Sequence, residues 1–318
     1  FMNYRVLSRF WWVLLIVVVA MLAAVLLFGY VVNGSKSWLN LGISSLQPSE
    51  FAKILMVVVT SALLSKWPRE KVNTVGFKKV SLSLLAALII IALVLLQPDY
   101  GTAFIFFIAY MGILFISGAN LLYFFVILSD AVGVFFAAIK TGIIKQYQLD
   151  RILVFMKPDI QQQTIGYNLF QSKLAIGSGG FWGKGLFLGK QTNLSYVPEH
   201  HTDFIFSVIG EEMGFLGAIV VIIVFALIIW RCFYIAANAK NSFGTLIASG
   251  IGFIILSQAV INIGMTIGIM PVVGIPLPFL SSGGSNLLAI FIGIAIVENV
   301  HLKRELRPQH ELAYKDFD

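Results

Sequence analysis

Eight apolar runs recur along this chain, at residues 10–32, 49–66, 80–96, 102–116, 121–139, 204–230, 243–270 and 287–300, and they leave it few ways to fold. So many long runs overfill a single water-soluble core, whereas the hydrocarbon of a bilayer accepts an apolar helix of roughly 20 residues. In lipid each backbone N–H and C=O must be satisfied within its own segment, so the runs are read as helices. The expected fold class is therefore all-α: a polytopic membrane helix bundle of about eight spans. Composition agrees, with 58% of the 318 residues hydrophobic, only 12% charged and a mean hydropathy of +0.90. A single domain covering residues 1–318 is expected, interrupted by a long polar loop at about 140–202.

Charge gives the sidedness. Arg5 and Arg9 precede the first run, and basic residues gather at 66–79, 231–240 and 301–307. Lys and Arg near span ends stay cytoplasmic, so alternation from a cytoplasmic start places all of these inside and the 140–202 loop outside. The same rule accounts for the net charge of +7, and no basic stripe interleaved with aromatics points to nucleic acid. The single cysteine, Cys232, leaves no internal disulfide to form. Phe1 is not a methionine, which suggests processing or a fragment.

The connections carry the remaining signals. Pro48 opens a helix at a position where its missing N–H costs nothing. Pro271, Pro276 and Pro278 mark a rigid loop or re-entry, because proline repeatedly removes donors. The glycines of Gly177-Ser178-Gly179-Gly180 and Gly183-Lys184-Gly185 offer a weak case for an anion-binding nest.

The stretch Tyr196-Val197-Pro198-Glu199-His200-His201-Thr202-Asp203-Phe204-Ile205-Phe206 sets two carboxylates and two imidazoles at the mouth of an apolar run. Thr202 or Asp203 reads as a helix cap, and Asp203 reads equally well as a catalytic carboxylate. Glu199, His200, His201 and Asp203 could ligate a metal, although the spacing matches no strong zinc motif. Glu50 and Lys53 stand one helical turn apart and pair with each other, whether for structure or for substrate. Asp99 is a turn residue and cap candidate. Asp130 falls mid-span and calls for protonation, a partner or a water-filled cavity. One of Glu211 and Glu212 is expected to bond inside the bundle. Gln258 and Asn262, with Asp130, could line a path across the bilayer. On the residues alone, an enzyme acting on a lipid-linked anionic substrate and a transporter both stand.

Several motifs occur in one order: Gln47-Pro48-Ser49-Glu50-Phe51-Ala52-Lys53, Gln97-Pro98-Asp99-Tyr100-Gly101-Thr102, Gln171-Ser172-Lys173-Leu174-Ala175-Ile176-Gly177-Ser178-Gly179-Gly180 and Pro198-Glu199-His200-His201-Thr202-Asp203-Phe204. Together with Gly210-Glu211-Glu212-Met213-Gly214 and Pro276-Leu277-Pro278-Phe279 they resemble the SEDS family (shape, elongation, division and sporulation) of bacterial peptidoglycan polymerases. Gly274-Ile275-Pro276-Leu277-Pro278, Asp150-Arg151-Ile152-Leu153 and Lys157-Pro158-Asp159 look more like the elongation type than the division type. Family members usually have ten spans, so the first two are expected to be absent here. Ser281-Ser282-Gly283-Gly284-Ser285 has serine where the family commonly has tyrosine.

The resemblance implies a glycosyltransferase in the bacterial cytoplasmic membrane, polymerising lipid II on the extracytoplasmic face by inverting transfer. A β-1,4 bond forms and undecaprenyl diphosphate leaves. The alternative is a lipid II flippase. Asp203 takes the place of the family's essential aspartate. Lys53, Lys36, Arg151 and Lys173 are candidates for the phosphates, with Glu50, Gln171, Glu199, His201, Thr202 and Asp99 lining the substrate site. A divalent cation, Mg2+ or Mn2+, is a candidate companion of Asp203, and no organic cofactor is implied. Expected partners are a class B penicillin-binding protein and other membrane proteins of the elongation complex.

Overall fold

The structure, a computed structural model, describes residues 3–32, 34–40, 42, 45–65, 75–142, 151, 155, 165–193 and 201–305. Glu199, His200, Asp150, Lys157, Pro158, Asp159, Arg307 and the basic residues Lys66, Arg69 and Lys71 lie outside them.

Each apolar run contains a helix. α1 (Arg5–Arg9) leads into α2 (Trp11–Phe28); α3 (Pro48–Leu64), α4 (Phe77–Leu95), α5 (Tyr100–Ile116) and α6 (Leu121–Lys140) follow. Past the long loop come α7 (Ile165–Gly179), α8 (Lys190–Asn193), α9 (Ile205–Glu212), α10 (Gly214–Ala237), α11 (Ser242–Ile267) and α12 (Gly284–Glu305). Among the described residues, α2, α4, α6, α10, α11 and α12 are long and apolar enough to cross a membrane. α3 and α5 are 17 residues each. α3 can afford its Glu and Lys because nearly all of it is buried among α2, α4, α11 and α12. α11 is the hub, packed against α3, α5, α10 and α12 with most of its side chains buried.

The structure departs from the expectation in three places. Residues 30–32 leave the helix and pair as β1 (Tyr30–Val32) with β2 (Ser35–Asn40), which in turn pairs antiparallel with β3 (Ser45–Leu46). The 204–230 run is broken, because α9 ends at Glu212 and α10 begins at Gly214, whose φ is 64°. The polar loop also contains a 15-residue helix, α7, which packs against α9 and α11.

Polar contacts gather at the two ends of the bundle. At one end Tyr4 joins its N–H to Asn299 Oδ1 (3.1 Å) and its hydroxyl to Asn241 Oδ1 (2.9 Å). Arg231 meets His301 at 3.1 Å there. The opposite end gathers the N-terminus of α3, the α4–α5 turn, the start of α9 and the proline-rich 271–278 segment.

Candidate functional site

The 271–278 segment is the piece on which the site assembles. Its irregular backbone, forced by three prolines, runs inward from α11 and is met from four sides. Gly101, one residue into α5, packs so closely on Val273 and Ile275 that a Cβ would lie about 3 Å from both. Arg151 donates from Nη1 to the Val273 carbonyl at 3.4 Å. Asp203 brings Oδ2 to 3.2 Å from the place a Cβ would occupy on Gly274, whose φ of 74° favours glycine in any case. Asn262, fully buried in α11, donates to the Ile275 carbonyl at 2.7 Å.

The same Asn262 amide donates to the Asp203 carbonyl at 2.8 Å. Two serines extend this hold. Ser281 Oγ donates to the Thr202 carbonyl and accepts from Leu277 N at 2.7 Å. Ser282 reaches the His201 carbonyl through its N–H (2.8 Å) and its hydroxyl (2.9 Å). Three consecutive carbonyls, those of His201, Thr202 and Asp203, are thus pinned from α11 and the 281–282 turn. The serines standing where a tyrosine was expected have a positioning role.

The stretch reaches the helix one residue later than the capping alternative placed it. α9 starts at Ile205 with Phe204 at its N-cap and no side-chain capping bond, because residues 201–204 form a turn ahead of the helix. Thr202 and Asp203 stand before the cap position, half-buried, with the His201 side chain exposed. A half-buried carboxylate whose own main-chain carbonyl is held in place has a fixed position ahead of the helix.

Across the segment lies a second polar group. Glu50 and Lys53 form an ion pair of 2.7 Å with side chains only 2% and 1% exposed, as their one-turn spacing suggested. Asp99 is the N-cap of α5, accepting from Thr102 N at 3.1 Å, and Gln47 Nε2 approaches it at 3.5 Å. Burial pushes the Asp99 carboxyl above its ordinary range, and nearby Glu50 adds to this. The Thr102 bonds and Lys53 pull it back. Gln47 N–H donates to Ser285 Oγ at 3.0 Å, which fastens the head of α3 to α12.

The remaining candidates, Lys36, Lys173 and Gln171, lie on β2 and α7. Lys36 spends its ammonium on the α2 C-terminus, donating to Leu26 O (2.6 Å) and Leu27 O (3.4 Å). Lys173, on the exposed side of α7, lies over Gly268, where α11 ends in a left-handed turn. A cation there complements the helix dipole. Gln171 is half-buried on the same helix. Among the described residues no three His, Cys, Asp or Glu side chains gather as metal ligands. Of the four residues named as candidate metal ligands, His201 and Asp203 are described and Glu199 and His200 lie outside the described residues.

Glu211 fulfils the expectation of a bonded glutamate. It is fully buried and accepts from Lys184 Nζ (2.7 Å), Gln191 N (3.0 Å), Thr192 N (3.1 Å) and Thr192 Oγ1 (2.8 Å). Burial alone would raise its carboxyl, but these donors outweigh burial and hold it below the usual range. The anion-nest reading of the nearby glycines fails for a related reason. Lys184 N and Gly185 N donate to the Glu211 and Glu212 carbonyls, both at 3.0 Å, and Gly183 lets the two backbones approach. Because the folded carboxyl is depressed, its stabilisation is complete above the ordinary glutamate range and is lost only as pH falls through the lower folded value. Limited proteolysis of residues 180–193 along an acid titration should show protection fading there. Glu211→Gln, which cannot take up the Lys184 charge, should show weak protection at every pH.

Gln258 and Asn262 do not line an open path. Both are fully buried, and Gln258 Nε2 points to Asn286 Oδ1 at 3.5 Å. Asp130 lies on the exposed side of α6, a helix with no buried residue, and has no partner among the described residues.

The comparisons with known proteins fit this arrangement. A family model described as cell cycle protein, FtsW/RodA/SpoVE, matches residues 1–306. The chain belongs to that family. It is 37% identical over 287 residues to peptidoglycan glycosyltransferase MrdB of Escherichia coli K12, covering 90% of this chain and 76% of that one. It is also 37% identical over 294 residues to the probable peptidoglycan glycosyltransferase FtsW of Tolumonas auensis, covering 91% and 74%. A solved peptidoglycan synthase complex, described as coordinating polymerization and crosslinking, superposes with a TM-score of 0.80 at 28% identity, covering 96% of this chain and 84% of that one. The rod shape determining protein RodA of Thermus thermophilus superposes at 0.68 with 29% identity, covering 96% and 81%. Fold, membrane class and FtsW/RodA/SpoVE membership agree with the resemblance read from the motifs.

Asn262, read from the sequence as a candidate for a path across the bilayer, instead bonds the Asp203 and Ile275 carbonyls. Asn262→Leu keeps the branched shape and number of heavy atoms but removes both N–H donors. It is expected to lower turnover by order 100-fold, the scale for a misplaced catalytic group. The bundle should remain folded by gel filtration in detergent, since the stranded carbonyls cost about 1–3 kcal/mol each.

Proposed function

We propose that this chain is a peptidoglycan glycosyltransferase that polymerises lipid II, with Asp203 as the base. The observation that carries the reading is Asp203 itself: a half-buried carboxylate ahead of α9, beside Gly274 and pinned through its own carbonyl by Asn262. Family membership and the names of MrdB and FtsW support the reaction class.

In the proposed step Asp203 accepts the proton of the acceptor sugar's hydroxyl as that oxygen attacks the anomeric carbon of the donor. The bond from that carbon to the diphosphate oxygen breaks, and undecaprenyl diphosphate leaves with the electron pair. Attack opposite the leaving group converts an α-linkage into a β-1,4 bond. The departing charge needs cations. Arg151, tied to Val273 two residues from Ile275, can grip a phosphate in bidentate fashion, and Lys173 adds a point charge. Lys53 contributes through its pairing with Glu50 rather than by free contact. The site faces the extracytoplasmic side of the bacterial cytoplasmic membrane, by the basic loops at the opposite end. A class B penicillin-binding protein is the proposed partner, in keeping with a solved neighbour that couples polymerization to crosslinking. The RodA-like, elongation-type role is part of this proposal.

Purified protein incubated with lipid II should yield glycan strands that a muramidase digests. Absence of product, with transbilayer movement of lipid II in vesicles, would favour the flippase. The buried, internally bonded Gln258 and Asn262 give that alternative little footing.

A further inference from the structure

Residues 180–189, between α7 and α8, carry five large apolar side chains turned outward. Phe181 is 52% exposed, Trp182 78%, Leu186 63%, Phe187 81% and Leu188 65%. This is more apolar surface in one short loop than water-facing proteins ordinarily leave uncovered. The loop cannot hide it by refolding, because its backbone is fastened on both sides. Lys184 N and Gly185 N bond the end of α9, while Phe215 N donates to Gly180 O (3.0 Å) and Leu216 N to Phe181 O (3.3 Å) at the start of α10. Gly183 and Gly214 make this possible: both have positive φ, and a Cβ on Gly214 would strike Gly183 N.

That anchorage fixes the height of the loop in the membrane. α10 has 24 residues, about 36 Å at 1.5 Å per residue, slightly more than the roughly 30 Å hydrocarbon core. Its first turn therefore lies at the boundary between acyl chains and headgroups, and the loop caps that turn. The exposed rings continue the outward apolar face of α10. Phe181 stacks near Phe215 with ring centroids 5.8 Å apart, and Val220, Ile223 and Leu227 carry the face onward. Aromatic side chains are enriched at this depth because they are apolar in body and tolerate the wet boundary. Lys190, exposed at the end of the loop, stands where lipid phosphates would meet it, whereas the Lys184 ammonium is already committed to Glu211.

We propose that residues 180–189 form an interfacial lipid-binding surface, seated in the headgroup–acyl boundary of the leaflet on the Asp203 side. Through the Lys184–Glu211 tie it fastens the C-terminal end of α9 to that boundary. The occupant is phospholipid rather than protein, because the surface is continuous with a lipid-facing helix. The membrane seating does not depend on which reaction the site performs.

The test places a nitroxide at Trp182→Cys and, separately, at Phe187→Cys, in full-length protein carrying Cys232→Ala. The protein is reconstituted in vesicles of phosphatidylethanolamine and phosphatidylglycerol. Collision with oxygen, which concentrates in lipid, is compared with collision with a water-soluble nickel chelate. Ile223→Cys provides the lipid reference and Asn40→Cys the water reference. At both loop positions the oxygen-to-nickel ratio should shift from the Asn40 value toward that at Ile223. A ratio matching Asn40 would overturn the proposal. So would protection from both reagents, which would mean that protein covers the loop.

Discussion

Replacing Lys53 by Met is expected to destabilise the bundle by about 3–5 kcal/mol, because it leaves the Glu50 carboxylate buried without its cation. Both side chains lie in the first turns of α3, almost wholly out of contact with solvent. An ion taken out of water is tolerated only while its partner compensates it. The double replacement Glu50→Gln with Lys53→Met removes both charges and should recover most of the loss, since a buried pair adds little net stability over neutral residues of similar size. Thermal unfolding in detergent, following the wild type, the single variant and the double, reads this directly. A stable single variant would mean that water or lipid headgroups reach the pair.

Much of the architecture was legible because apolar length is a crude signal and lipid enforces it. α6 (Leu121–Lys140) falls almost on the 121–139 run, and α12 and α5 lie close to theirs. What escaped was decided by features that hydropathy does not weigh. Tyr30, Val31 and Val32 continue an apolar run, but Asn33-Gly34 follows them. That dipeptide favours a tight hairpin turn, and β1–β2 is the result. The break between α9 and α10 hides within an apolar stretch and is marked only by Gly214, whose left-handed backbone ends one helix and starts the next. α7 was missed because its polar and apolar positions alternate too weakly to stand out from a glycine-rich loop.

The site was legible in its side chains and not in its support. Asp203, Glu50, Lys53 and Asp99 announce themselves as carboxylates and an ammonium in an apolar chain. Asn262, Ser281 and Ser282 act through contacts with main-chain carbonyls about 60 to 80 residues distant, and no local pattern encodes those. Lys36 shows the converse. Its charge drew it into the phosphate set, whereas its ammonium caps α2.

The central claim is that the Asp203 carboxylate takes the acceptor proton, and Asp203→Asn tests it most directly. The amide keeps size and hydrogen-bonding capacity but cannot serve as a base. Its carbonyl remains held by Asn262 and those of Thr202 and His201 by Ser281 and Ser282, so the fold should not change. General-base contributions are typically 10²–10⁴-fold, and polymerisation of lipid II by the purified variant should fall by about that factor. Gel filtration and thermal unfolding should match the wild type. Glycan strands made by a folded Asp203→Asn protein at the wild-type rate would contradict the account.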